Sequence, residues 1–561
     1  MPKQIAFIAY ETPYAPCGGV AAVMTHLPAK LATSSGLPTI AITPFHFNIV
    51  KTSSLKHEME WVGDCEVPYA TRSIAVNILR HRNGRYIFLQ TKDEPKGSKP
   101  FFSGIRHPYD VGAPQNDNAS ILRRDALFFG AAVSQALPVI DRSASWILLL
   151  QDWEAATAAL ALKGDRTDLK YSLFLTLHNS YDNGASDEEL RLFGIHPADC
   201  PGDTVLTRAL PLVQPPVFTV SDQFALDFTD EILQAQIMAS HLAPQLASRL
   251  VGVNNGPFTE LAVDSDILEH ARHANFNPLK KWKSAYRKKA LDALDAFTPT
   301  RDKPVWGNPG LFNRDDAPWF IMAGRDDSRQ KGYDVACSAI TRFLASGGEA
   351  RFLFFPIPGD EGLPGLTFLR RLSQRYPESV LVLPFIFQEG FFAFLQGATY
   401  GMMPSLYEPF GMANEFYLKG TVGIGRATGG ILQQIIPSQV AKSCNQAVRV
   451  RAERWHAPSV RPTGFLYRER DGIPSAVEDW QAINAAGYDS SGASPNRVEQ
   501  REHLLLFKSM VDQLSLCIGD ADLIWREQPE VYFQMLIDGI GYIQENFSWE
   551  KAARLYVRHF R

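Results

Sequence analysis

Glu408 stands in Pro404-Ser405-Leu406-Tyr407-Glu408-Pro409-Phe410-Gly411-Met412, directly after an apolar run, and Arg426-Ala427-Thr428-Gly429-Gly430 follows one strand later. A fixed carboxylate can grip the hydroxyls of a sugar or a ribose. Glycines let backbone N–H groups come within reach of a phosphate, and a helix N-terminus adds positive partial charge. Two such loops at the carboxyl edge of a parallel sheet are how a nucleotide-sugar site is assembled. Each piece alone also reads as a plain turn and a plain helix start. Their pairing across one strand favours the site.

Three further stretches carry polar groups at strand ends. Tyr14-Ala15-Pro16-Cys17-Gly18-Gly19 follows the first strand, and its glycine pair opens a helix. The pattern fits backbone approach to a phosphate or sugar, or a tight turn. His178 and Asn179 end the run Leu175-Thr176-Leu177, while Gln151-Asp152-Trp153-Glu154 ends the preceding strand. His178 reads as functional beside these neighbours or as structural; Asp152 reads as an acceptor contact or as a helix N-cap. Arg325 and Lys331 lie on one loop, Arg325-Asp326-Asp327-Ser328-Arg329-Gln330-Lys331-Gly332. Their charges can converge on a diphosphate and neutralise a leaving nucleotide. The alternative is a solvated charged loop, to which Arg329 belongs in either case.

The elements that position these residues alternate between short apolar strands and longer helical patterns. Strands are expected at 5–10, 39–45, 145–152, 170–178, 216–221 and 249–254, then at 318–324, 350–357, 379–386, 399–404 and 421–426. Most are continuous apolar runs, as strands buried on both faces of a parallel sheet are. Residues 257–317 are more polar and read as a linker and helix, with Lys280-Lys281-Trp282-Lys283 and Arg287-Lys288-Lys289 on a solvated helix face. Residues 484–500 read as a surface insertion, and a last helix is expected over about 528–561, with Ser548 a plausible N-cap. The 561 residues divide into two domains of roughly 250 residues each. Doubly wound α/β halves, 1–256 and 257–540, with a helix about 541–561 returning to the first and a cleft between the halves, are the economical architecture.

Composition narrows the class. Hydrophobic content of 45% and charged content of 21% are those of a globular protein. A net charge of −4 without a basic stripe gives no support for nucleic-acid binding. Six scattered cysteines without C-x-x-C spacing read as free thiols of a reducing compartment. Met1-Pro2-Lys3 runs straight into the first strand without a leader pattern, and no apolar run approaches the roughly 20 residues of a membrane helix. A cytoplasmic protein, with no nucleic-acid or membrane partner, is the expectation.

Together these pieces resemble the starch and glycogen synthases, retaining glycosyltransferases of the GT-B fold with two Rossmann-like domains. Gly18-Gly19 resembles the family's K-T-G-G-L loop, Tyr109-Asp110 its Y-x-N, Arg124-Asp125-Ala126-Leu127-Phe128 its R-F-x-x-F, Gln151-Asp152-Trp153 its H-D-W and Leu177-His178-Asn179 its V-H-N. Thr219-Val220-Ser221, Asn255-Gly256, Pro404 to Met412, Thr428-Gly429-Gly430 and Phe547-Ser548-Trp549 follow in the family's order. The resemblance implies transfer of a hexosyl group, glucose above all, from ADP- or UDP-glucose to an α-glucan or a smaller hydroxylated acceptor. It implies catalytic roles for His178, Arg325, Lys331 and Glu408. His178 would contact the donor sugar, Arg325 and Lys331 the diphosphate, and Glu408 the donor glucose. Gly18, Gly19, Asn255, Phe410, Gly411, Met412, Thr428, Gly429 and Gly430 would bind donor; Asp152, Asn179 and Tyr109 would bind acceptor. No metal or other cofactor is implied, because arginine and lysine take the role of a divalent ion.

The departures concentrate in the first half. The family's lysine before the glycine pair is Pro16, its threonine is Cys17, and the following helix reads Val20-Ala21-Ala22-Val23 where an aspartate is expected. The histidine before D-W is Gln151, and Glu154 replaces the one after it. The donor half is thus better kept than the acceptor half. A catalytically weak glucan- or nucleotide-sugar-binding homologue is the competing reading, set against the joint presence of His178, Arg325, Lys331 and Glu408.

Overall fold

The computed structural model describes residues 2–50, 58–92, 99–111, 115–164, 168–312, 316–359, 361–486 and 497–560. The chain forms two compact units, Met1–Phe258 with Ser548–Arg561, and Thr259–Phe547.

The first unit is built on nine strands: β1 Lys3–Ala9, β2 Thr39–Pro44, β3 Met59–Tyr69, β4 Arg72–His81, β5 Tyr86–Thr91, β6 Ser145–Gln151, β7 Lys170–Leu177, β8 Val217–Thr219 and β9 Leu250–Gly252. They lie in the order β3-β4-β5-β2-β1-β6-β7-β8-β9. From β5 to β9 every pairing is parallel. The central strands are the continuous apolar runs of the sequence, and Ile5 to Ala9 have no exposed surface at all. The antiparallel β3-β4-β5 extension was not expected. Its strands alternate, with Val67, Ile74, Val76 and Ile78 buried between exposed or half-buried neighbours, so they lack the unbroken apolar signature of the rest.

The expected single helix over 528–561 is two helices, Pro529–Asn546 and Trp549–Val557. Ser548 is extended and accepts a hydrogen bond from Lys551 N at 3.1 Å, so a capping residue in a non-helical conformation separates them. The chain returns to the first unit there. Trp549 donates to the Pro257 carbonyl at 2.8 Å and joins the core around Phe7, Leu27 and Phe218.

The second unit contains β10 Trp319–Arg325, β11 Arg351–Ile357, β12 Val380–Val382, β13 Tyr400–Met403, β14 Val422–Arg426 and β15 Phe465–Tyr467. All pairings are parallel, in the order β12-β11-β10-β13-β14-β15. This is the doubly wound order 3-2-1-4-5-6, in which the winding reverses between the first and fourth strands and ligands bind outside their carboxyl ends. Here those ends launch the loops from Asp326 and from Pro404. In the first unit the sheet order reverses likewise between β1 and β6, whose ends launch Tyr10 to Gly18 and Asp152.

The lysine-rich helix Asn277–Asp295 is not simply solvated. Lys283 is buried, and its Nζ donates to the carbonyls of Gln396, Ala398 and Gly420 at 3.1, 2.5 and 2.5 Å. Arg287 donates to Gly397 O and Thr399 Oγ1. The polar end of this side chain is kept in the interior because three carbonyls accept from it, although burial lowers its pKa well below that of a free lysine. Among the described residues no helix is long and apolar enough to cross a membrane. Lys283→Met keeps the stem but removes a donor from three buried carbonyls, and is expected to destabilise the second unit by about 3 kcal/mol, read as a lower midpoint of its unfolding transition in urea.

Candidate functional site

In the second unit, the loops after β10 and β13 dock directly on each other. Leu406 N donates to Gln330 O at 2.7 Å. Gly332 has φ 66°, and a Cβ there would stand 2.1 Å from Pro404 O. This close approach brings Lys331 to Glu408: Nζ donates to Oε2 at 2.7 Å. Ser405 Oγ donates to the same oxygen at 2.9 Å, and Gln330 Nε2 to Oε1 at 3.3 Å. The Glu408 carboxylate is therefore held by three side chains while its residue stays 7% exposed. Arg325, at the end of β10, has a half-exposed side chain that pairs with Asp327 at 3.4 Å.

The third loop closes over Glu408 from the other side. Gly430 N donates to Glu408 O at 3.2 Å, and a Cβ at Gly429 (φ 46°) would lie 1.6 Å from that carbonyl. Only glycine fits at Gly429. Thr428 precedes the short helix Gly429–Gln434. Phe410, Gly411 and Met412 continue the Glu408 loop; Gly411 has φ 89°, and the Phe410 ring meets Phe547 edge-on at 6.0 Å. The structure thus brings Arg325, Lys331, Glu408, Phe410 to Met412 and Thr428 to Gly430 onto three abutting loops.

Both connections are backed by buried arginines. Arg426, in β14, forms a two-pronged pair with Glu469 and donates from Nη1 to Leu406 O. Arg468 pairs with Glu469 at 3.0 Å and donates from Nη1 to Ala427 O at 2.6 Å. Burial alone would raise the Glu469 carboxyl; the guanidinium groups of Arg426 and Arg468 instead hold it well below the usual carboxylate range.

The first unit collects the other predicted residues around carboxylates. Gly18 and Gly19 do open a helix, Gly19–Ser35, but their loop is already filled. Glu11 Oε1 accepts from Cys17 N, Gly18 N and Ala21 N at 3.0, 2.5 and 3.0 Å, and Oε2 accepts from Tyr109 Oη at 3.1 Å. Tyr109 stacks on Tyr10, ring centroids 5.9 Å apart. Asp152 begins the helix Asp152–Gly164 in the left-handed region, φ 63°, which a non-glycine residue adopts at a cost of about 1–3 kcal/mol. Its side chain accepts from His178 N at 2.6 Å and Asn179 Nδ2 at 3.2 Å. His178 Nε2 meets Gln151 Oε1 at 2.8 Å, and burial lowers the ring to about 4, so it is a neutral imidazole at physiological pH. Asn255 is buried in the turn after β9, its N–H donating to Val220 O at 3.3 Å. Among the described residues no group of three or more His, Cys, Asp or Glu is arranged to hold a metal ion.

Residues 4–236, most of the first unit, match the family described as starch synthase catalytic domain. The glycogen synthase of Oceanobacillus iheyensis is 25% identical over 459 residues, covering 77% of this chain and 84% of that one. That of Thermosipho africanus is 24% identical over 461 residues, covering 77% and 85%. The catalytic domain of starch synthase IV from Arabidopsis thaliana, solved with ADP and acarbose, superposes with a TM-score of 0.57 at 17% identity, covering 96% of this chain and 100% of that one. The chain is a starch/glycogen synthase-like glycosyltransferase. Its two Rossmann-like units are those of the GT-B fold.

Several residues of this glycosyltransferase escaped the sequence reading. Glu11 follows β1 by two positions and carried no motif of its own. Gln330 and Ser405 flank recognised residues and become visible only as partners of Glu408. Glu469, Arg497 and Arg501 lie far along the chain from the loops they support. The expected surface insertion over 484–500 ends instead in the helix Arg497–Arg501, whose two arginines are buried; 487–496 lie outside the described residues.

Electrostatics set the first unit apart. Burial raises the carboxyls of both Asp152 and Glu154; the charge of Glu11 raises both further, and that of Asp152 raises Glu154. A raised folded pKa contributes stability that is fully present below the unfolded value, about 3.9 for aspartate, and is lost as pH rises through the folded value. The first unit is expected to lose stability as pH climbs out of the ordinary carboxylate range. The double variant Asp152→Asn/Glu154→Gln should flatten that slope in denaturation midpoints measured across the pH series.

Proposed function

We propose that this enzyme transfers a glucosyl group, with retention, from ADP- or UDP-glucose to an α-glucan. The observation that carries the reading is the Lys331–Glu408 pair on abutting loops at the winding reversal of the second sheet. A carboxylate locked by Lys331, Ser405 and Gln330 can accept hydrogen bonds from sugar hydroxyls without reorganising. Lys331 and Arg325 meet the charge that develops on the leaving diphosphate, which is the electrostatic contribution that matters most when a phosphate departs. The reaction on this reading needs no metal. In the first unit, Asp152, Asn179 and Tyr109 serve the acceptor, and neutral His178 acts as a hydrogen-bonding group rather than as a cation. The ADP and acarbose of the Arabidopsis structure support nucleotide and glucan-like ligands by analogy.

Two features favour a second reading, a weakly catalytic binder: Pro16 in place of lysine, and a glycine loop whose N–H groups Glu11 already occupies. Nucleotide release from a panel of NDP-sugars, with and without glycogen or maltooligosaccharide, separates them. Glucan-stimulated release from one donor is the expected result and names the nucleotide. Release without glucan stimulation moves the acceptor to a small hydroxylated molecule. Binding of a donor or of glucan without release from any donor leaves the binder. Glu408→Ala and Lys331→Ala are each expected to lower kcat/KM roughly 100-fold or more while the protein stays folded by circular dichroism; undiminished turnover in both overturns the site.

A further inference from the structure

The two arginines of the helix Arg497–Arg501 lie 167 to 173 positions from their partners Asp326, Ser328 and Asp334, yet both end on the loop after β10 or beside it. Arg497 donates from Nη1 and Nη2 to the two oxygens of Asp326 at 2.9 and 2.7 Å. Its guanidinium lies over the Phe368 ring, 5.2 Å from the centroid, which fixes the plane of the fork. Arg501 has no exposed surface; Nη1 donates to Ser328 O at 3.0 Å and to Asp334 Oδ2 at 2.7 Å. Asp326 and Ser328 stand between Arg325 and Lys331.

We propose that Arg497 and Arg501 are positioning residues for donor binding, clamping the Arg325–Lys331 loop from behind so that its two cations are already set when a diphosphate arrives. The inference rests on the donor assignment above. The loop is gripped on opposite sides. In front, Gln330 O and Gly332 meet the Glu408 loop. Behind, Arg497 and Arg501 fix residues 326–328, with Asp326 N also bonded to Ile357 O at 2.8 Å. Between these anchors the turn closes on Asp327, which accepts Arg329 N at its side chain and Lys331 N at its carbonyl. Arg325 and Lys331 have long, partly exposed side chains, so the direction of their stems is set by this backbone. A bidentate guanidinium–carboxylate pair fixes direction as well as distance, which a lysine cannot reproduce. Rigid placement of charge before the ligand arrives is what makes such cations effective.

Arg497→Ala and Arg497→Lys test this in the full chain; the less deeply buried Arg497 is chosen because Arg501 variants risk misfolding. Backbone hydrogen exchange across 326–332 reads the clamp without turnover. ADP and UDP binding by calorimetry, with KM for NDP-glucose and for glycogen, reads its consequence. Arg497→Ala is expected to speed exchange in the loop and to weaken nucleotide binding and raise donor KM roughly 10- to 100-fold, leaving glycogen KM unchanged, with partial recovery in Arg497→Lys. Unchanged loop exchange overturns the clamp. Faster exchange with unaltered donor constants, or equal losses in the donor and glycogen constants, overturns its role in donor binding. If the unaltered protein binds no nucleotide at all, the donor assignment falls, and the exchange result still decides the clamp.

Discussion

Glu469 is a carboxylate buried between two guanidinium groups, and the candidate donor site depends on it. Arg426 and Arg468 each pair with Glu469 and also donate to a backbone carbonyl, Leu406 O and Ala427 O. Those carbonyls belong to the two loops that meet at Glu408. A buried guanidinium without an anion would carry several kcal/mol of desolvation cost, so neither arginine could stay in place alone. One carboxylate therefore makes both loop anchors possible.

Backbone contact then completes what the arginines begin. Gly429 against Glu408 O and Gly332 against Pro404 O are approaches that no side chain would permit. They bring three separate strand ends close enough for Lys331, Ser405 and Gln330 to converge on one carboxylate. The glycine of T-G-G is read most directly here as a packing requirement: the N–H of Gly430 is bonded to Glu408 O, so the motif builds the loop that holds the acid.

Features carried by local pattern were legible in the sequence. Strands buried on both faces are unbroken apolar runs, and the second sheet's five expected strands appear in place; only the three-residue β15 was missed. Ser548 could be read as a cap because capping is decided within three residues. The alternating β3 and β4 were not recognised because a half-buried strand looks polar when an apolar run is the criterion. Lys283 was expected on a solvated helix face and Arg497 in a surface insertion, since lysine and arginine are rarely buried without a partner; Arg501 stood out in no motif. Most of their partners lie far away in the chain, 113 positions for Lys283 with Gln396 and 173 for Arg501 with Ser328, and only the fold brings them together. Arg325, Lys331 and Glu408 were identifiable as candidates; Gln330, Ser405 and the arginines behind them were not, because their contribution is to hold those three rather than to touch a ligand.

The two units use opposite charges for the same task. In the second, arginines hold loops by their carbonyls. In the first, carboxylates hold loops by their N–H groups: Glu11 takes three, and Asp152 takes that of His178. The loop after β1, where an anion-binding turn was expected, is thereby filled by an anion of the protein itself, and Pro16 supplies no amine beside it. Burial adds to this by raising the carboxyls of Asp152 and Glu154 and by keeping the His178 ring neutral, so none of the three supplies a cation. On the proposed function, stabilisation of a departing diphosphate has to come from Arg325 and Lys331. The precision with which their loop is held, by Glu408 in front and by two buried arginines behind, is what that division of labour requires.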